Sequence, residues 1–428
     1  MGAGVSEIPY AAPAARRSME TSNSMGDPCA VPQPVLRRSL GLLGAVALSF
    51  SAYWAMRLAY AEHLSGSDSS ADRARAIRLA PSDARLYIRW GRLDARRRVP
   101  ALEAALARNP RDSSAWIELG LRAEAEDDFR RAEQCLLEAA RVDRTLAPRW
   151  SLANFYFRRD NTEEFWRWAR QAAAMFYGDP APLFRLCWKV AADPNLILTR
   201  VLPDREQILR QYLGFLLGEN RLNAAEPVAE RVLKEGTPES FQTVLNYCDR
   251  LLEAGLLEPA VRVWNSLASR NPMRCSALDP ERGMVATNGD FAAPPLSRGF
   301  DWRVPEVHGV RAARIESPFA MRFSFSGKQP ESCEILSQYL AVLPGRTYRM
   351  SFRCRTSGIP PESGLRWKIC GAESVQLWSE DWKEQELEFR TPPNAGPVRL
   401  TLGYQRAPGT TRIEGSIWLS AVKVAARW

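Results

Sequence analysis

At 428 residues the chain has room for two or three domains, and with 46% hydrophobic and 25% charged residues most of it is expected to fold. The net charge of +9 is spread along the length, which allows an affinity for anionic surfaces; no Lys/Arg arm with interleaved aromatics occurs, so nucleic acid is not an expected partner. The only two histidines, His63 and His308, exclude a multi-histidine metal site and leave any Ser-His-Asp triad dependent on His308.

Residues 1–36 are rich in Ala, Pro and Ser with little periodicity, and read as a disordered cytoplasmic tail. A transmembrane anchor is expected over 37–62. Within it Ser39 to Met56 form 18 residues without a charge, at the lower edge of the about 17–25 that cross a bilayer. Arg16, Arg17, Arg37 and Arg38 precede the run. By the positive-inside bias the N-terminus stays in the cytoplasm and everything after Arg57 is exported. That places a single-pass protein in the inner (cytoplasmic) membrane with its bulk in the periplasm. Tyr53 and Trp54 fall near the far interface. The alternative is a cleaved signal peptide; the long preceding segment and the lack of an A-x-A site argue against it.

Beyond the anchor the sequence repeats itself. Pro81-Ser-Asp83-Ala-Arg-Leu-Tyr87-Ile-Arg-Trp90-Gly91 recurs as Pro110-Arg-Asp112-Ser-Ser-Ala-Trp116-Ile-Glu-Leu119-Gly120, and the second copy continues with Ala132, Leu136 and Ala139. Trp150 falls 34 residues after Trp116. These residues resemble the tetratricopeptide repeat, in which small residues let paired helices cross closely and aromatics fill the grooves between repeats. The resemblance implies that residues 68–272 are an α-solenoid of about five helical pairs, binding a protein partner on its concave surface. Helical spacing persists over Glu206–Glu219, Leu222–Lys234, Pro238–Ala254 and Glu258–Ser269, and Asn271-Pro272 ends the run. The aromatics Phe155, Tyr156, Phe157, Phe165, Trp166, Trp168, Phe176 and Tyr177 are either inter-repeat packing or a binding groove, and packing is the simpler reading.

None of the eight cysteines forms a CxxC pair. Cys135, Cys187 and Cys248 read as small buried apolar residues. An oxidising compartment would permit a disulfide among Cys275, Cys333, Cys354 and Cys370, although the alternation sets Cys354 and Cys370 on opposite sides.

After Pro272 the period changes from 3.6 to 2. Met321, Phe323 and Phe325, then Tyr348 to Cys354, Leu365 to Ile369 and Val398 to Tyr404 alternate with polar residues between Pro/Gly turns. Several short strands of this kind imply a two-sheet β-sandwich over 284–428. Asn288-Gly289-Asp290-Phe291, Gly299-Phe300-Asp301-Trp302, Leu336-Ser-Gln338-Tyr339-Leu340, Leu343-Pro344-Gly345 and Glu414-Gly415-Ser416-Ile417-Trp418-Leu419 resemble, in order and spacing, jelly-roll carbohydrate-binding modules with the galactose-binding-like fold. The resemblance implies sugar rings stacked on exposed aromatics. The candidate binding residues are Trp302, Trp378 and Trp382, with Gln338 and Arg355 as polar partners. It also implies a structural calcium near the opening motif, to which Asp290 would contribute, and no other cofactor. Arg349, Arg353, Arg355, Arg366, Lys368 and Arg399 are expected to share faces of adjacent strands, a basic surface suited to an anionic polysaccharide or lipid head groups.

The whole is a multidomain α + β chain: one transmembrane helix, an α-solenoid and an antiparallel jelly-roll sandwich. It is expected to be a scaffold rather than an enzyme, with a protein partner on the repeats and a polysaccharide on the sandwich, in polysaccharide assembly or export or in envelope organisation. A sugar-active enzyme, or its accessory subunit, would have to use carboxylate pairs such as Glu380 with Asp381 or Glu384 with Glu386. A purely structural role, with a sandwich that binds nothing, is the other alternative.

Overall fold

The structure, a computed structural model, describes residues 33–234, 236–270, 276–394 and 396–427. Most of the expected tail, Cys29, Cys275 and the Asn271-Pro272 helix stop lie outside the described residues. The chain forms two compact units, one ending at Pro110 and one beginning at Arg111.

In the first unit α1 runs Gln33–Ser65. It therefore starts inside the segment read as tail and continues past the expected end of the anchor. Leu42–Ser65 is long and apolar enough to cross a membrane, and its side chains from Leu42 to Met56 are exposed. The last turns behave differently. Ala61 and Leu64 pack on Ala76 of α2 (Ser70–Leu79), on Ala80, which caps that helix, and on Leu86 of α3 (Ala84–Gly91). The Arg57 Nε donates to the Leu79 carbonyl at 2.8 Å. Against α3 lies α4 (Ala95–Arg108). A Cβ at Gly91 would stand 2.6 Å from that of Ala101, which is why the repeat carries glycine there.

The second unit opens with five helical pairs. They are α5 (Ser113–Ala125) with α6 (Phe129–Val142), α7 (Leu146–Arg158) with α8 (Thr162–Met175), and α9 (Ala181–Val190) with α10 (Pro194–Arg200). Then come α11 (Glu206–Gly218) with α12 (Leu222–Lys234) and α13 (Pro238–Glu253) with α14 (Leu257–Ser269). Counting α3 with α4, the described helices make one pair more than the sequence suggests. Gly120 plays the same part as Gly91, since a Cβ there would meet Leu136 at 2.9 Å. Leu119, Ala132, Leu136 and Ala139 are buried, as is Tyr87, while Trp90, Trp116 and Trp150 are half-buried. Trp150 meets Phe176 edge-on at 6.3 Å.

In four of the five pairs of the second unit, all but α9–α10, the turn inside the pair keeps the phase. Asp127, Asp160, Asn220 and Gly255 all adopt left-handed backbone, with φ of 62°, 51°, 55° and 77°. The next residue in each case donates its N–H to a carbonyl five residues back, as in Asn161 to Tyr156 and Leu256 to Leu251. This is the helix-ending motif that only Gly, Asn or Asp enters cheaply. Ion pairs then link neighbouring repeats, including Arg158 with Glu124 at 2.7 Å and Arg262 with Glu226 at 2.7 Å.

The sandwich follows. Its strands are β1 Val310–Glu316, β2 Phe319–Ser326, β3 Ser332–Leu340, β4 Thr347–Ser357, β5 Leu365–Ile369, β6 Ala372–Glu373, β7 Lys383–Arg390, β8 Val398–Gln405 and β9 Glu414–Ala426. They form two antiparallel sheets, ordered β1-β2-β9-β4-β7 and β3-β8-β5-β6. The predicted alternations fill the space between the sheets: Phe323, Tyr348, Met350, Phe352, Leu365, Trp367, Leu400 and Leu402 have no exposed surface. Cys354 is buried with them and Cys370 is exposed; both, like Cys333, are free thiols.

The helices and the sandwich share buried contacts. Leu278, Phe300 and Ala341 belong to the same buried cluster as the helices. Phe300 packs edge-on against Trp264 of α14 at 5.9 Å. Gly299, at φ 56°, lies so close that a Cβ would fall 2.5 Å from the Trp264 ring. Asp249 of α13 accepts from the Gly299 N–H at 2.7 Å and from Arg303 at 2.6 Å.

Candidate functional site

The sequence singles out five sandwich side chains, and the structure divides them. Trp302 is fully buried. Its Nε1 donates to the Asn288 carbonyl at 2.9 Å, and its ring lies 5.2 Å from Phe291 and 6.0 Å from Trp367. Gln338 is equally enclosed, its amide donating to the carbonyls of Thr287 at 2.8 Å and Phe300 at 2.9 Å. Both are corrections to the reading above. The segment carrying Asn288 and Trp302 folds inward over β3, so these side chains close the core and cannot touch a surface ligand.

Arg355 and Trp382 do come together, on the outer face of the five-stranded sheet. Strand β4 points Met350, Phe352 and Cys354 inward and Arg353 and Arg355 outward. On β9, Ile417 and Leu419 point inward and Trp418 outward. The register sets Trp418 between Arg322 of β2 and Arg355 of β4. The Arg355 guanidinium stands 4.5 Å from the Trp418 ring and 6.0 Å from Trp382, and that of Arg353 stands 5.4 Å from Trp382. Such separations are those of guanidinium–indole stacking. Ala421, at φ 51°, sits where the β4–β9 register shifts. The shift resets the alternation, so that Lys423 lies opposite Ser351 on the same face as Trp418. Trp378, 39% exposed, is on the crossover from β6 to β7, beside Ser379, whose carbonyl accepts from the Thr356 N–H at 2.6 Å.

Trp418 and Arg322 are absent from the predicted set, and Arg353 is predicted only as part of a basic surface. The alternation Ile417-Trp418-Leu419 carried the signal, because two aliphatic neighbours facing inward force the indole outward.

The expected basic surface splits in two. Arg349, Arg353 and Arg355 belong to β4, whereas Arg366, Lys368 and Arg399 belong to the other sheet. Most are neutralised: Arg349 by Glu386 and Glu388, Arg366 and Lys368 by Glu373, and Arg399 by Glu334. Lys368, and then Arg366, hold the Glu373 carboxyl below the usual range. Glu384 and Glu386, one of the carboxylate pairs open to an enzyme reading, are exposed on β7, with Glu386 3.6 Å from Arg349.

The two carboxylates of the opening motif are engaged within the protein. Asp290 is exposed, and its carboxylate accepts from the Ala292 N–H at 3.1 Å. The nearby Asp301 is buried, which pushes its carboxyl up, and its oxygens are taken by the Leu296 N–H at 2.8 Å and the Asn288 amide at 3.2 Å. Among the described residues no group of three or more His, Cys, Asp or Glu could hold a metal. Calcium needs six to eight oxygens.

In the helical part Phe155, Tyr156, Phe165, Trp166 and Trp168 are buried packing, whereas Tyr177 is 87% exposed. Beside it the Gly178 carbonyl accepts from Gln211 at 3.2 Å. A cleft of about 330 Å³ between α9 and α11 is lined by Arg185, Gln211, Phe215 and Glu219.

No family model matches the chain, and no curated protein matches it. Among solved structures, the carbohydrate-binding module CBM4 is 15% identical over 33% of this chain and 98% of its own, with a TM-score of 0.26. YrrB, described as a TPR protein with an unusual peptide-binding site, is 14% identical over 48% of this chain and 94% of its own, with a TM-score of 0.24. Yeast Tom70 is 16% identical over 48% of this chain and 46% of its own, with a TM-score of 0.27.

Proposed function

We propose that the protein is a non-enzymatic, membrane-anchored scaffold. In this reading its helical repeats take a protein partner and the outer face of its five-stranded sheet takes a glycan. The observation that carries the reading is the half-buried row Trp418–Arg355–Trp382 on the outer face of the sheet. Flat aromatics with a polar group fixed between them offer the weakly apolar face of a sugar ring a stacking surface and its hydroxyls a donor. The partner surface is the α9–α11 cleft beside Tyr177, where an exposed aromatic lies next to charged and amide side chains. A chain of this kind would serve polysaccharide assembly or export, or envelope organisation, from the outer side of the inner membrane.

The test is affinity capture with full-length protein from membranes. Joint replacement of Trp382 and Trp418 by alanine is expected to abolish glycan capture and to spare the protein partner. Tyr177→Ala with Arg185→Glu is expected to do the reverse. Loss of both on either replacement, in a protein that still melts normally, argues against two separate surfaces. Topology is read in the same cells: an N-terminal tag is expected to resist protease added to spheroplasts while the sandwich is cut. A cleaved tag overturns the orientation.

A further inference from the structure

We infer that the ligand of the five-stranded face is an acidic polysaccharide, one whose sugar rings carry carboxylates. The inference rests on the glycan reading of that face and adds the charge of the ligand.

It comes from which cations on the sandwich lack partners. Arg349 lies on the same strand and face as Arg353 and Arg355, and it is paired to two glutamates. Among the described residues, Arg322, Arg353, Arg355 and Lys423 have no carboxylate oxygen within the 4.0 Å of an ion pair. Glu384 is the register partner of Arg353 and still forms no such pair. The Nε of Arg322 is buried without a hydrogen-bond partner. Three arginines without ion pairs thus surround two indoles, with Lys423 further along the same face, while Arg366, Lys368 and Arg399 on the opposite sheet are neutralised.

Stacking explains the form of the site. A guanidinium lying against an indole is held in place with its N–H edge free, and that edge matches a carboxylate with two parallel bonds. Across the strands the order is Arg322, Trp418, Arg355, Trp382. Neighbouring strands are about 4.8 Å apart, a distance on the scale of a sugar ring. A polysaccharide running across β2, β9 and β4 would therefore meet a ring-stacking surface and an anion-binding group in alternation. Lipid head groups fit less well, because Trp418 and Trp382 are half-buried among the arginines and offer no protruding apolar wedge to a bilayer.

The experiment uses full-length protein in detergent micelles and measures binding to polygalacturonate, neutral xylan, dextran sulfate and anionic phospholipid vesicles. Polygalacturonate is expected to bind at least about tenfold tighter than xylan and to weaken with salt. Trp418→Ala and Arg355→Gln should each lose about tenfold or more. Trp418→Phe should keep part of the affinity, and Arg366→Gln on the opposite sheet should keep all of it. Equal binding of xylan and polygalacturonate, both lost in Trp418→Ala, overturns the acidic specificity and leaves the glycan reading standing. No polysaccharide bound by a protein that melts normally overturns both. Dextran sulfate or vesicles bound as tightly as polygalacturonate, with Trp418→Ala unaffected, reduces the face to a general cationic surface and also overturns the inference.

Discussion

Replacing Trp302 by alanine is expected to destabilise the sandwich by about 3–5 kcal/mol, the cost of emptying a tryptophan-sized volume in a close-packed core. The side chain has no exposed surface and touches Phe291 and Trp367. Its removal also leaves the Asn288 carbonyl without the indole donor. Trp302→Phe should cost less, because most of the ring volume remains. Denaturant unfolding followed by near-ultraviolet circular dichroism reads the effect. Because the second unit joins helices and sandwich, transition midpoints are a safer measure than one extrapolated free energy. A Trp302→Ala protein as stable as the parent, with glycan binding weakened, would return this residue to the surface set.

The second large effect is expected where helices and sandwich meet. Asp249 accepts from Arg303 at 2.6 Å and from the Gly299 N–H at 2.7 Å, with Arg298 at 4.0 Å. The Asp249 and Arg303 side chains are only 22% and 19% exposed. Asp249→Ala leaves a largely enclosed guanidinium and an amide without their acceptor, at a cost of roughly 2–4 kcal/mol. Removing Arg303 as well should recover part of that loss, and the double-mutant cycle is expected to give a coupling of about 1–3 kcal/mol. Calorimetry supplies a second readout. The parent is expected to melt helices and sandwich together, and Asp249→Ala to separate them into two transitions. Additive single effects and an unchanged melting profile would mean that Trp264, Phe300 and Gly299 hold the junction without the ion pair.

Much of this architecture is legible in the residues, for identifiable reasons. The charge-free run before Arg57, the glycines of the first two repeats and the alternation of β2, β4, β5, β8 and β9 are local signals, and each element follows its own period. Strand β7 escaped because it reads KEQELEFR, an edge strand with charged residues outward and only Leu387 and Phe389 buried. The helices of the later repeats are legible from their spacing over Glu206–Ser269, but their repeat signature is not, because what persists in them is the left-handed turn position, filled by Asn220 and Gly255, rather than the aromatics. The site was half legible. Period 2 states that Trp418 and Arg355 face one way, but not which side of a sheet is the core. Trp302 and Gln338 were misplaced because they precede or lie beside loops whose path only the folded chain reveals. Pairing of charges is likewise a property of register: nothing in the run from Arg349 to Arg355 distinguishes the neutralised arginine from the two that are free.

The wedging of Gly299 against Trp264 has a geometric outcome. With Phe300 inserted into the helical core and Asp249 tied across the seam, the last repeat and the sandwich are packed against each other. A ligand on Trp418 and a protein in the α9–α11 cleft would meet at one fixed separation and angle. Their effective concentration would then be set by the shape of this single body rather than by a linker's length. Partners of matching dimensions would gain avidity, and those of any other size would be refused simultaneous engagement.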